Sequence, residues 1–116
     1  MPLTQLLLIL LRTLAGAQVV VGIGLWTGHW YGIVGVHRTV GVAFVVTLWV
    51  LAGLALARRR STGVAVVAIL WGVGVAAFGF MQQRILPGDL HWIVRVAHLA
   101  IGVVAMPIAA LLARES

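Results

Sequence analysis

The chain has no cysteine and no lysine, and its 116 residues include only two acids, Asp89 and Glu115. Without cysteine there is no disulfide, no thiolate metal site and no cysteine nucleophile. With so little acid there is no carboxylate pair for acid–base work, and no carboxylate inside any long apolar run. A proton-coupled small exporter, which needs one there, is therefore disfavoured. The two serines, Ser61 and Ser116, lie at the ends of apolar runs with no histidine close by in the sequence, so no nucleophile–base–acid set is expected. No catalytic residue is assigned, and an electron carrier is the better expectation than an enzyme.

Charge of any kind is scarce. Charged residues make up 9% of the chain, and the mean hydropathy is +1.17. Soluble domains carry about 25% charged residues. A water-soluble domain of this size needs more polar surface than this sequence supplies, so the missing water-facing surface implies lipid-facing surface. The net charge of +6 comes entirely from arginine. Such an excess can mark a nucleic-acid binder. Here the arginines fall at the ends of apolar runs and form no patch, so no nucleic acid is expected, and they read as topology signals and anion anchors.

What the sequence does contain is four apolar runs, over about residues 3–27, 32–57, 62–83 and 90–113. Each is near the roughly 20 residues that cross a bilayer as a helix. Backbone polar groups in lipid must be satisfied within the segment, so the runs are expected to be helices despite their many valines and glycines. Met1 to Ala17 is apolar and ends in a signal-like Ala-Gly-Ala, but Arg12 interrupts this stretch and the apolar run continues past any cleavage point, so it reads as part of the first span. The links are short: Gly28–Gly32, Arg58–Ser61 and Arg84–Asp89, the last with a Pro-Gly turn. Short links make neighbours antiparallel. The expectation is all-α: one transmembrane domain over residues 1–116, an up-down-up-down four-helix bundle. The Arg58–Arg60 cluster and Arg114 then share one end with both termini, which the positive-inside rule places in the cytoplasm. A bacterial cytoplasmic membrane is the expected setting. Trp26, Trp30, Tyr31 and Trp92 would form an aromatic belt on the outer face.

The two halves resemble each other. His29-Trp30 is followed by His37 and Gly41, and His91-Trp92 by His98 and Gly102. A duplicated helix hairpin would produce this pattern. Residues 91, 95, 98 and 102 share one helix face, as do 30, 34, 37 and 41. Each deeper histidine therefore has a glycine one turn below it.

Ionisable residues within membrane helices are expensive and are functional candidates by default. Histidines on the second and fourth helices, facing each other in a bundle core, suit the two axial positions of a haem. Gly41 and Gly102 would leave room for the macrocycle. Arg38, Arg95 and Arg84 would pair with its propionates, since the guanidinium fork matches a carboxylate. His37 and His98 are the expected iron ligands, with one haem b per chain. Two haems would need more helix rise than separates the histidines. His29 and His91 are expected at the surface as interfacial anchors. Arg12 either snorkels to the inner surface or meets a partner subunit, and the glycines at 16, 22, 24, 72, 74 and 79 favour close packing or space beside a cofactor.

On these residues the chain resembles one four-helix half of a haem A synthase. Val36-His37-Arg38-Thr39-Val40-Gly41 is similar to that family's His-Arg motif, and Val96-Ala97-His98-Leu99-Ala100 to its fourth-helix His-Leu pattern. Membrane b-type cytochromes share the plan. The resemblance implies the cofactor-binding half. It does not carry haem-modifying activity, because Val34 stands where the catalytic half has a glutamate.

The expected function is a membrane b-type cytochrome, an electron-transport subunit with one bis-histidine haem toward the outer face. Its partners would be the lipid bilayer and other membrane or periplasmic redox proteins, or a quinol, within a larger complex or homo-oligomer. The competing expectation is a cofactor-free accessory subunit of a respiratory or photosynthetic complex.

Overall fold

In the computed structural model, residues 1–28 and 31–114 are described. His29, Trp30, Glu115 and Ser116 lie outside the described residues, and with them the expectations for His29 as an anchor and Trp30 in the aromatic belt. The chain is an all-α four-helix bundle. Its helices are α1 (Leu3–Trp26), α2 (Val34–Ala57), α3 (Thr62–Met81) and α4 (His91–Arg114). One-turn 3-10 helices at Tyr31–Ile33 and Gln82–Arg84 lead into α2 and out of α3.

A 24-residue helix is about 36 Å long at 1.5 Å per residue, enough to cross a hydrocarbon core of about 30 Å. Each of the four helical segments is long and apolar enough to span a membrane. Length and composition thus suggest an integral membrane protein. The helices expose large apolar side chains such as Leu6, Val20, Leu70 and Val104, as lipid-facing surfaces do. Helix α4 continues through Pro107, which faces outward, to Arg114.

The helices pack in chain order, and α4 closes against α1. Across the square, α2 and α4 also meet, whereas α1 and α3 do not among the described residues. The two histidine-bearing helices therefore lie on the short diagonal.

The bundle is solid at one end only. Leu8 and Leu11 of α1, Leu48 and Leu51 of α2, Ala65 and Ala68 of α3, and Ala105 and Ala109 of α4 form a buried cluster. All of these lie toward the termini and the Arg58–Ser61 link. Alanine makes up half of the full buried cluster; such small side chains let helix backbones approach closely, which is how helices associate in lipid, where no hydrophobic drive acts between them. Two indoles pin the layers: Trp49 Nε1 donates to the Ile69 carbonyl at 3.2 Å, and Trp71 Nε1 to the Ile101 carbonyl at 2.7 Å. The α2 C-terminus closes with Arg59 N–H bonded to Leu56 O and Arg60 N–H to Ala55 O. This is a Schellman motif, with Arg59 at φ 55° in the place that glycine usually takes.

Candidate functional site: a histidine-lined cleft between two hairpins

At the other end the bundle opens. His37 lies in the first turn of α2, and His98 lies two turns into α4. Their ring centroids are 6.3 Å apart, with 66° between the ring planes. Phe78 of α3 stacks on His98 at 5.9 Å with 9° between planes, which fixes that imidazole's orientation. His37 Nδ1, His98 Nδ1 and Gln18 Oε1 are all buried without a hydrogen-bond partner. A buried polar atom left unpaired costs about 1–3 kcal/mol. Three of them on residues lining one cleft mark bonding capacity that the protein itself does not use.

Glycines on the neighbouring helices admit the imidazoles. A Cβ at Gly22 of α1 would lie 3.5 Å from His37 Cε1, and one at Gly79 of α3 would lie 3.2 Å from His98 Cε1. Each hairpin thus contributes the same pair, a glycine on its first helix and a histidine on its second. The glycines expected to make room, Gly41 and Gly102, behave differently from each other. A Cβ at Gly102 would meet nothing within 4 Å. At Gly41 it would lie 2.8 Å from Gln18 Nε2, so a glutamine amide already covers that position.

The cleft encloses about 790 Å³ and is lined from all four helices. Pockets for drug-sized ligands and cofactors run to about 300–1,000 Å³. Lining residues that are also exposed come from two seams: Val19 and Ile23 with Leu99 and Val103, and Arg38 and Val42 with Phe80 and Gln83. These are the α1/α4 and α2/α3 seams, the two that no link bridges at this end. The space is a slot between the hairpins, with one histidine on each side.

Its charge is one-sided. Arg38 and Arg95 line the slot near the histidines, and Arg12 lines it about 15 Å further along α1 than Gly22, at 1.5 Å per residue. Among the described residues no carboxylate lines it; Asp89 sits in the link between α3 and α4. The arrangement suits an anionic occupant. Arg84 is exposed at the end of its 3-10 turn and is not among the lining residues. The slot thus brings together His37, Arg38, Gly41, Arg95, His98 and Gly102, but leaves out Arg84. His91, expected as a surface anchor, is half-buried, lines the slot and bonds the Ile85 carbonyl through Nδ1 at 3.2 Å.

Among the described residues, no three histidines or carboxylates gather into a metal-sized group. No family model, curated protein or solved structure matches the chain.

Gln18 and Phe78 complete the site without having been assigned to it from sequence, and Gly22 and Gly79, expected to serve packing or space beside a cofactor, stand against the imidazoles. Gln18 carried a usable signal, as the one amide side chain inside the second half of the first apolar run. Phe78 carried none, because a phenylalanine in an apolar helix is ordinary.

Proposed function

We propose that the chain is a membrane b-type cytochrome subunit holding one haem between its hairpins, with His37 and His98 as the axial ligands. The separation of the two imidazoles carries this reading. Two imidazoles on opposite sides of one metal, each with a metal–nitrogen bond of about 2.0–2.1 Å, place their ring centroids about 6 Å apart. The observed value is 6.3 Å. Ligation of one metal by two imidazoles sets no angle between their planes, so the observed 66° is compatible with it. Two protein ligands need a cofactor that supplies the remaining donors, which a planar tetrapyrrole does. The buried, unpaired imidazole nitrogens and the slot-like cleft support the same group.

In this reading the bound haem supplies reversible one-electron chemistry. The chain's own residues hold and tune it. Phe78 keeps the His98 ring in one orientation, and Gly22 and Gly79 let both rings stand close to the neighbouring helices. Arg38 and Arg95 offer donors to the propionates, and Gln18 Oε1 offers an acceptor at the cleft wall. The likeness to half of a haem A synthase extends to this cofactor site alone, since Val34 cannot replace an acid. The Arg58–Arg60 end with both termini is assigned to the cytoplasm and the cleft to the outer half of the membrane. Electrons then pass between a donor at the outer face and a partner subunit.

The test is a reduced-minus-oxidised absorption spectrum of the chain purified in mild detergent after haem-supplemented expression, with pyridine haemochrome quantitation. A low-spin b-type α band at one haem per chain is the expected result. A featureless spectrum would overturn the reading and leave a cofactor-free accessory subunit.

A further inference from the structure

We propose that the outer mouth of the cleft is a quinol site, in which His91 Nε2 takes the hydroxyl proton. The electron's destination rests on the haem reading above; the binding site does not.

A carbonyl oxygen only accepts, so in the 3.2 Å contact between His91 Nδ1 and Ile85 O the ring nitrogen donates. The neutral ring then carries its lone pair on Nε2. The bond also anchors the imidazole to the turn that precedes α4. His91 lines the cleft, but it does not gather with His37 and His98 into a metal-sized group. Its free nitrogen is therefore not a third metal ligand.

The other described residues that line the cleft at this end cannot take a proton. Arg38 and Arg95 are permanent cations that only donate, and Gln82 and Gln83 are not basic. With His37 and His98 assigned to the iron, and no carboxylate lining the cleft, His91 Nε2 is the one described lining group able to do so. A general base must lie where the substrate gives up its hydrogen. The mouth continues into the α1/α4 seam, where Val19, Ile23, Leu99 and Val103 are exposed. An occupant that fits both parts has a hydroxyl head and an apolar tail lying in the seam, and it arrives from the lipid. A quinol has that form and is a reductant.

The step balances as follows. One quinol O–H bond breaks: its proton goes to His91 Nε2, and its electron would go to the one-electron acceptor that a haem held by His37 and His98 would supply. Repetition with the second hydroxyl, once His91 has released its proton to water and the partner has withdrawn the first electron, leaves the quinone.

The informative variant is His91→Asn. Its amide N–H can replace Nδ1–H on the Ile85 carbonyl, so the anchor is kept while the basic nitrogen is lost. Two measurements decide the matter. In the first, haem-free protein in detergent is titrated calorimetrically with decylubiquinol under argon. Wild type is expected to bind, and H91N to bind about fivefold more weakly, as the loss of one hydrogen bond implies. In the second, haem-loaded protein is mixed with decylubiquinol and the α band is followed in time. H91N is expected to keep its haem and its full reduction by dithionite, but to be reduced by the quinol about 100-fold more slowly, as the loss of a general base implies. Equal affinity and equal rate in H91N, or no binding by wild type, would overturn the quinol site. If wild type takes up no haem, the haem reading falls and the calorimetric titration still decides the mouth.

Discussion

His37 and His98 approach each other from opposite hairpins, with ring centroids 6.3 Å apart across the short diagonal of the bundle. Neither ring has a protein partner for its Nδ1. If the pair ligates one iron, each ring is indispensable, and neither is needed for the leucine and alanine core at the other end. His37→Ala and His98→Ala are therefore expected to keep their helical circular dichroism while losing the low-spin α band. Added imidazole should restore part of the band by entering the space the ring vacates. Stoichiometric haem in both variants without imidazole would refute the ligand pair.

The two histidine-facing glycines differ in how much space they leave. A Cβ at Gly22 would make an ordinary 3.5 Å contact with His37, whereas one at Gly79 would press on His98 at 3.2 Å. His98 cannot easily yield, because Phe78 is stacked on it. Gly22→Ala is expected to bind haem like wild type. Gly79→Ala should bind it more weakly, by about tenfold if the forced tilt costs about 1.4 kcal/mol, within the range of overpacking penalties. A haem titration of the two apoproteins followed by absorbance checks the contrast, which equal affinities would contradict.

Much of the fold can be read from the chain because long apolar runs joined by short links permit few solutions. A span near 20 apolar residues has to be a helix, and links of a few residues have to reverse it. Hence the helix ends lie within about 2–4 residues of their expected positions, the usual precision of such boundaries. The facing histidines were also legible, since spacing along one helix fixes the face. What spacing cannot reveal is the neighbour across the interface. Gly41 looked open from its own helix and is covered by Gln18; Gly22 and Gly79, which spacing left between helix packing and space beside a cofactor, stand beside the imidazoles. His91 resembled an interfacial anchor because its bond to Ile85 depends on how the third link folds back. Arg84 failed as a cleft residue for the same reason, since the 3-10 turn carries it outward.

The solid end makes its own prediction. Gly72 of α3 is buried beneath the Trp49 indole, and a Cβ there would collide with the ring. The same indole holds α2 to α3 through its 3.2 Å bond to the Ile69 carbonyl. Gly72→Ala is expected to displace Trp49 and break that bond. The cost should be about 1–3 kcal/mol, read as a lower thermal unfolding midpoint in detergent and a shift in tryptophan emission. Gly16→Ala, where a Cβ meets nothing within 4 Å, is the control and should leave both unchanged. An unshifted midpoint in Gly72→Ala would show that the indole is not fixed there.

Arginine placement should be visible in the potential of the bound haem. A nearby cation disfavours the more positive ferric state, so it raises the midpoint potential, and its removal lowers it. Arg38 and Arg95 line the cleft, whereas Arg84 does not. All three residues are exposed, so solvent screens them and the effect is smaller than for a buried charge. For a one-electron couple, a tenfold change in equilibrium is 59 mV. Arg38→Gln and Arg95→Gln are each expected to lower the midpoint by about 30 mV, roughly half that tenfold unit. The shift should shrink as salt rises and screening strengthens. Arg84→Gln should leave the potential where it was. Redox titration of the three variants at low and high salt separates cleft-lining charge from topology charge. A shift in Arg84→Gln as large as in the other two would mean that only the overall charge of the outer face is sensed, and not the placement of Arg38 and Arg95 in the cleft.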